Sequence, residues 1–240
     1  MTAEINHAKR AHALLSASAS HRWLACTPSA LLESEVPDTA SEFAKEGTLA
    51  HEFCDLKLRL YTGEIKESTY KRNMSKLRKD ERYQKEMEDY ADDYFAYVLE
   101  KMTDTAILTP ETQVDFSEYV PDGFGTSDAI IIDDGKMTII DFKYGKGVEV
   151  SAVDNPQLKL YSLGAIHTFS MIYDIQTVNM CIYQPRIGNI SEDSITVDEL
   201  LEWGEYTVKP AAALAFKGEG ERVAGDHCKF CKIQSECPAM

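Results

Sequence analysis

The sequence has no long apolar run, no internal repeat, no low-complexity tract and no clear interdomain linker. A membrane-spanning helix needs about 18 consecutive apolar residues, so we expect a soluble protein that makes no contact with a membrane. The apolar patch at residues 12–17 is too short and too broken for a secretory signal, which predicts a cytoplasmic protein. Without a linker, residues 1–240 favour one domain with a single well-buried core.

Positive charge is also scarce, because 25 Lys and Arg stand against 40 Asp and Glu, a net charge of −15. At first sight that balance argues against nucleic acid as a partner. The distribution is uneven, however, since residues 57–85 hold ten basic and four acidic side chains. A local basic stretch can still contact phosphates, and the candidates for this contact are Lys71, Arg72, Lys76, Arg78 and Lys79. A solvated surface helix is the alternative interpretation.

Four of the six cysteines form a one-plus-three pattern, with Cys26 about 200 residues before the cluster Cys228-x2-Cys231-x5-Cys237. Thiolates bind soft or borderline metals, and four of them complete either a tetrahedral zinc site or the corners of a [4Fe–4S] cluster. Their convergence would tie the two ends of the chain together. A disulfide-linked tail is the other possibility, less favoured in a protein that is not exported. The remaining two, Cys54 and Cys181, are expected to be buried thiols.

Hydrophobic periodicity predicts a helical region over residues 1–104. The serine-rich run at 16–20 is expected to cap a helix that carries Trp23 and Cys26, and a second helix is predicted from about Glu42 to Leu60. Apolar and aromatic residues then recur every three or four positions, at Met87, Tyr90, Tyr94, Val98 and Met102. This spacing indicates a long amphipathic helix whose aromatic side chains pack in the core.

The pattern changes to that of an α/β core over residues 105–216, followed by a cysteine-containing tail over 217–240. Strands are predicted at 106–116, with a break at Pro110, at 126–132 and at 137–142, the last two joined by a turn at 133–135. Asn155 and Pro156 open a helix that reaches about His167. A fourth strand at 177–183 and a helix at 197–216 complete the order α, β, β, β, α, β, α.

Two acidic residues, Asp128 and Asp141, occupy matched positions on neighbouring predicted strands. Strand alternation places Asp141 and Lys143 on the same face. Asp141 follows an apolar run, where an unpaired charge is costly, so it requires a cation as a partner. His51 on the early helix would complete a mostly oxygen ligand set suited to Mg²⁺ or Mn²⁺ with open water positions. A simple Asp141–Lys143 ion pair and a packing role for His51 are the alternatives.

Asp128 followed by Asp141-x-Lys143, on adjacent strands of an αβββαβ order, resembles the PD-(D/E)XK nuclease superfamily. Three further motifs extend the resemblance to the RecB-type branch. They are Gly47-x-x-x-His51, Gly125-x-x-Asp128 and Gln157-x-x-x-Tyr161.

The one-plus-three cysteine pattern is similar to that of the iron–sulfur nucleases of this branch. These include the AddB C-terminal domain, the eukaryotic replication helicase–nuclease and the small CRISPR-associated RecB-like exonucleases. More narrowly, the chain resembles small phage- and prophage-borne proteins of this class.

The resemblance implies a restriction-endonuclease-like core (αβββαβ) with a helical N-terminal addition and a C-terminal cysteine cluster. It also implies a Mg²⁺- or Mn²⁺-dependent deoxyribonuclease, an exonuclease or end-processing enzyme that acts on single-stranded DNA or duplex ends. Such an enzyme would work beside phage replication or recombination proteins in the cytoplasm of a bacterial host.

The residue roles that the resemblance implies fall into three sets. The metal ligands are His51, Asp128 and Asp141. Lys143 is catalytic with these carboxylates, and Gln157 and Tyr161 lie beside the scissile strand. Cys26, Cys228, Cys231 and Cys237 hold a [4Fe–4S] cluster.

Two other interpretations remain. One is a nuclease-like scaffold that binds DNA or a protein partner without cutting, and the other is a regulatory protein stapled by zinc. Glu111, near the first predicted strand, is a weaker candidate for approaching the metal, and a surface position is the favoured interpretation.

Overall fold

The computed structural model describes residues 13–37 and 42–240. Residues 1–12, which include the first residue of the apolar patch at 12–17, lie outside the described residues. Within the described ranges, no helix is both long enough and apolar enough to cross a membrane.

The described residues of the N-terminal region are mainly helical, as predicted. It comprises α1 (Ser20–Ala25), α2 (Ser29–Ser34), α3 (Glu42–Thr62), α4 (Glu67–Leu77) and α5 (Lys85–Glu100). The α/β region comprises β1 (Ile107–Asp115), β2 (Phe124–Asp133), β3 (Gly135–Phe142), α6 (Pro156–Phe169), β4 (Ile175–Gln184), β5 (Asn189–Thr196), α7 (Val197–Trp203) and α8 (Lys209–Lys217). A π-helical segment, Gly204–Val208, joins α7 to α8, and the tail contains short 3-10 turns at Asp226–Phe230 and Gln234–Glu236.

The five strands form one mixed sheet in the order β1-β2-β3-β4-β5. Pairing is antiparallel except between β3 and β4, which run parallel. A parallel pair needs a crossover connection, and α6 supplies it. The predicted α/β class is confirmed.

Each face of the sheet is covered by a separate apolar core. On one face, Ile130 and Ile139 pack with Leu158 and Leu163 of α6. On the other face, the strand residues whose side chains point away from α6 pack with Phe53 of α3 and with α5. In β2 and β3, the residues that point to either face of the sheet are apolar, which is typical of strands buried on both sides. The sheet is therefore a rigid platform between two helical layers.

Local sequence signals account for several element boundaries. The side chain of Asn155 accepts hydrogen bonds from the backbone N–H groups of Gln157 (3.0 Å) and Leu158 (3.3 Å), which caps the start of α6. Gly135 has φ +68° at the β2–β3 turn, a conformation that glycine adopts without strain. The predicted α6 and the predicted β2–β3 hairpin are confirmed.

Three local predictions are wrong. The serine-rich run does not cap α1 through a side chain; instead the Ser16 carbonyl accepts a hydrogen bond from the Trp23 indole N–H (3.0 Å). Pro110 does not break the first strand, because β1 is an edge strand and tolerates a missing N–H donor. Strand β5 was missed because its residues alternate between exposed and half-buried positions and carry few apolar side chains.

Candidate metal and catalytic site

Three carboxylates lie side by side across β1, β2 and β3. The register pairs Pro110 with Ala129 and Thr112 with Ser127, which places Glu111 opposite Asp128. On the other side of β2 the pairing ends at Ala129 and Ile140, and the next position of each strand holds Asp128 and Asp141. Adjacent strands are about 4.8 Å apart, so the three acids converge at one end of the sheet.

His51 reaches this row from α3. Its Nδ1 lies 3.1 Å from Asp128 Oδ1, and its ring meets the Phe142 ring edge-on with centroids 5.1 Å apart. The other oxygen, Asp128 Oδ2, accepts a hydrogen bond from the Phe142 backbone N–H (2.7 Å). Burial alone would raise the pKa of Asp128, but the charge of His51 and these hydrogen bonds hold it below its usual range. Asp128 is therefore a fixed carboxylate.

Lys143 and Gln157 form a connected polar network around Asp141. The Lys143 ammonium lies 2.8 Å from Asp141 Oδ2 and donates to Gln157 Oε1 (3.0 Å). Gln157 Nε2 donates to Asp141 Oδ1 (2.9 Å) and to the Tyr161 hydroxyl (3.1 Å). Burial raises the pKa of Asp141, and the charge of Lys143 opposes that rise only in part. The predicted Asp141–Lys143 contact is confirmed, and Gln157 orients both groups.

Gly125 explains how Tyr161 reaches this network. A Cβ at Gly125 would lie 2.7 Å from a ring carbon of Tyr161, so the ring packs directly on the backbone of β2. By contrast, nothing lies within 4 Å of a Cβ built at Gly47. Of the two glycines in the motifs, Gly125 has a steric role at this site.

Glu111 is the site residue that the sequence interpretation placed wrongly. It is half-buried and faces His51 and Asp128, and it has φ +40°, in the left-handed region that a non-glycine residue rarely adopts. Burial, reinforced by the negative charge of Asp128, raises the pKa of Glu111 to about 7. Strained backbone of this kind concentrates at functional sites. The available signal was its spacing from Asp128, which becomes informative only when the strand register is known.

The ligand atoms of His51, Glu111 and Asp128 all lie within 4.8 Å of one another, close enough to surround one ion. Asp141 is outside this group, and its oxygens face Gln157 and Lys143. The predicted metal set thus shares two of its three members with the observed cluster. One imidazole and two carboxylates are a donor set that divalent Mg²⁺ or Mn²⁺ accepts.

The four predicted cysteine ligands line one small cavity, and none of them is in a disulfide. The two ends of the chain meet around this cavity: the Lys232 backbone N–H donates to Glu33 Oε1 (2.8 Å), and the Thr27 hydroxyl donates to the Glu219 carbonyl (2.6 Å). Cys26 and Cys228 are buried, and Cys231 and Cys237 are half-buried. We call this group of four residues the cysteine cavity. The predicted convergence is confirmed.

The basic stretch is only partly available for phosphate contacts. Lys71 pairs with Glu67 on the surface of α4, and Arg78 makes two hydrogen bonds to Glu88 (2.8 and 2.6 Å). Lys76 and Lys79, without acidic partners among the described residues, line a groove between α3 and α4. Arg72 is exposed on α4.

The two cysteines outside the pattern are buried, as predicted. Cys54 lies in α3 and Cys181 in β4, both within the core that faces α5. Burial raises the pKa of both thiols, which keeps them protonated and unreactive.

The chain is similar to a protein family and to solved structures. One of the solved structures, titled "Crystal structure of SSO0001", is 17% identical over 92% of this chain and 96% of that chain, with a TM-score of 0.37. A likeness this low carries no argument about fold or activity. The family model described as "Protein of unknown function (DUF2800)" matches residues 12–240, nearly the whole chain. The chain belongs to this DUF2800 family.

Proposed function

We propose that the protein is a metal-dependent deoxyribonuclease that hydrolyses phosphodiester bonds, as an exonuclease or end-processing enzyme. The observation that carries the proposal is the row of Glu111, Asp128 and Asp141 with Lys143 beside it. The resemblance of Asp128 and Asp141-x-Lys143 to the PD-(D/E)XK pattern supports the same activity.

The donor set fits a divalent cation. His51, Glu111 and Asp128 would hold it, with Asp141 next to them. A bound Mg²⁺ or Mn²⁺ supplies Lewis-acid polarisation of a phosphate and lowers the pKa of a bound water. Burial, and then the negative charge of Asp128, raises the pKa of Glu111, and a cation bound beside it would favour its charged form.

Lys143 has the position of a catalytic group. Its ammonium lies 2.8 Å from Asp141 Oδ2 as an ion pair and donates a hydrogen bond to Gln157 Oε1. An ammonium has three N–H donors, so at least one is left for a water or a phosphate oxygen. An ammonium fixed in a mostly buried site stabilises charge that develops on phosphate in the transition state. Gln157 acts as a positioning residue, because it bonds Lys143, Asp141 and Tyr161 at once.

For the cysteine cavity we propose a structural [4Fe–4S] cluster. The four cysteines line one cavity, and four thiolates can hold either a cluster or zinc. The resemblance of the one-plus-three pattern to that of the iron–sulfur nucleases supports the cluster. A brown colour with visible absorption in protein purified without air supports the cluster, and colourless protein that contains zinc contradicts it.

The test of activity is digestion of end-labelled single-stranded and duplex DNA with Mg²⁺ and with Mn²⁺. Asp141→Asn and Lys143→Met are expected to abolish cleavage. Their matched controls are Asp134→Asn and Lys136→Met, which alter exposed residues at the opposite end of β2 and β3. Activity that survives in both site variants contradicts the proposal. DNA binding without cleavage by the wild-type protein supports the scaffold interpretation instead.

A further inference from the structure

An apolar pocket of about 500 Å³ opens beside Lys143. We define it by Phe43 at the start of α3, the loop at 143–150 that follows β3, and Phe230 in the C-terminal tail. Phe43 is 79% exposed, Phe230 is 64% exposed and Val148 is 39% exposed. Phe43 lies in the first turn of α3 and lines this pocket. Large apolar side chains left in water around one concavity are typical of a binding surface.

The pocket has a fixed shape. Gln184 is 1% exposed, and its Nε2 donates to the carbonyls of Gly145 (2.6 Å) and Val148 (2.9 Å), while its Oε1 accepts from the Val150 N–H (3.1 Å). These three bonds hold the loop in one conformation. Arg186, also in the lining, lies 4.5 Å above the Tyr144 ring. A buried side chain that fixes the wall makes this a preformed site.

The charges at the pocket match an anionic ligand. Lys143 and Lys146 stand at its rim, and Lys146 has no acidic partner in the part of the chain that the structure describes. The acid in the lining, Glu46, is paired with Arg186 (3.3 Å). Positive rim groups and aromatic walls together suit a nucleotide, whose phosphate is anionic and whose base is flat and apolar on its faces.

We propose that this apolar pocket binds an unpaired nucleobase of the DNA strand, next to the phosphate held at Lys143, with Phe43 and Phe230 as its stacking surfaces. The inference rests on the proposed function and specifies its substrate as a strand with an unpaired base at the cut. A base in an intact duplex is stacked and paired, and must leave the helix to enter such a pocket. The pocket therefore selects single-stranded DNA or a frayed end, with little preference for sequence because every base has a π face.

The position of Phe230 links this pocket to the cysteine cavity. Phe230 lies between Cys228 and Cys231 in a short 3-10 turn. The segment that carries the cysteine ligands thus carries one wall of the pocket. The cysteine cavity then has a second role beyond clamping the chain ends, because it holds Phe230 in the lining of this pocket.

The experiment measures DNA binding in EDTA, so that cleavage plays no part. A short oligonucleotide carrying 2-aminopurine reports stacking by fluorescence quenching, and its anisotropy reports affinity. Phe43→Ala and Phe230→Ala are expected to weaken single-strand binding about 5- to 100-fold, the range for loss of a base-stacking aromatic, and to reduce the quenching. Blunt duplex binding is expected to change little. Phe43→Tyr retains the aromatic ring and is expected to retain both signals.

The matched control is Tyr206→Ala, which removes an aromatic side chain of similar exposure (75%) in the π-helical segment away from the pocket. Single-strand affinity and quenching that are unchanged in both phenylalanine variants overturn the inference, even if the wild-type enzyme cuts DNA. Aromatic-dependent binding by a protein that cuts nothing sustains the pocket and refutes the nuclease. A wild-type protein that does not bind single strands refutes the pocket directly.

Discussion

The carboxylate row and the cysteine cavity are both groups of potential metal ligands, but the protein builds them in opposite ways. In the carboxylate row, Glu111, Asp128 and Asp141 come from adjacent strands whose register is set by backbone pairing. In the cysteine cavity, Cys26 meets residues about 200 positions later, in short turns of the tail. One site is placed by the sheet, whereas the other helps to hold the chain ends in place.

This contrast predicts different consequences of losing a metal. The carboxylate row is already partly neutralised by His51 and Lys143, and the platform beneath it is buried on both faces. The cysteine cavity is held by a few hydrogen bonds between chain ends. We therefore expect loss of a divalent ion to stop catalysis without unfolding, and loss of a cluster to loosen the tail.

The largest expected effect is on catalysis, in the variant Asp128→Asn. It keeps the shape of the side chain and removes the charge beside His51, so we expect DNA cleavage to fall about 1,000-fold or more, since charge stabilisation by a metal is worth several kcal/mol. Single-turnover digestion measures this loss. The variant is expected to stay folded with a lower thermal midpoint, because the ion pair between Asp128 and His51 is lost. Unfolding of Asp128→Asn at ordinary temperature would contradict the expectation that changes in the carboxylate row stop catalysis without unfolding the protein.

The next largest effect is on stability, in the variant Cys228→Ser. Removing one ligand is expected to abolish the visible absorption and to lower the free energy of unfolding by about 4 kcal/mol, the scale for releasing a closed loop longer than 100 residues. Cleavage is expected to fall with the stability of the tail. Cys181→Ala, which alters a buried thiol outside the cavity, is expected to keep the colour. A colourless Cys228→Ser protein with unchanged melting and activity contradicts a structural role.

A third prediction concerns pH and Glu111. Its folded-state pKa is about 7 and its ordinary pKa is 4.5, so between these values the unfolded chain ionises while folded Glu111 stays protonated. The contribution of Glu111 to the stability of the metal-free protein is therefore greatest below pH 4.5. It falls as the pH rises to 7 and stays low above pH 7. Above pH 7, burial of the charged Glu111 lowers the free energy of unfolding by on the order of 3 kcal/mol.

Glu111→Gln is expected to remove this dependence. In EDTA, the variant is expected to be more stable than wild type at pH 8 and to lose that advantage at pH 4.5, as measured by urea unfolding. Added Mn²⁺ is expected to stabilise wild type more than the variant, because the variant lacks one ligand. An unchanged difference between the two proteins from pH 4.5 to 8 contradicts the burial of this carboxylate beside Asp128.

The smallest expected effect is at the groove between α3 and α4. Lys76→Ala and Lys79→Ala are each expected to reduce the salt dependence of DNA affinity by about one unit of slope, as for one phosphate contact. Lys217→Ala, at the end of α8, is the control. Equal slopes of affinity against salt in all three variants and the wild type would support the alternative interpretation, in which α4 is a solvated surface helix.

Local patterns in the sequence were sufficient for much of the fold. Strand alternation placed Asp141 and Lys143 on one face, and the Asn155–Pro156 signal started α6, so Gln157 stands in its first turn. These signals depend on neighbours within a few residues, so a sequence displays them directly. Strand β5 lacked such a signal, because an exposed edge strand has few apolar residues.

The sequence by itself determined the chemistry of the ligands, the one-plus-three cysteines and the α/β order. Only the tertiary structure decided that Glu111 joins His51 and Asp128, because this contact depends on the register of β1 against β2 and on the packing of α3. The tertiary structure likewise placed Phe43 and Phe230, nearly 190 positions apart, in the lining of one pocket. Pairing register and the meeting of distant loops are long-range properties, which no local periodicity records.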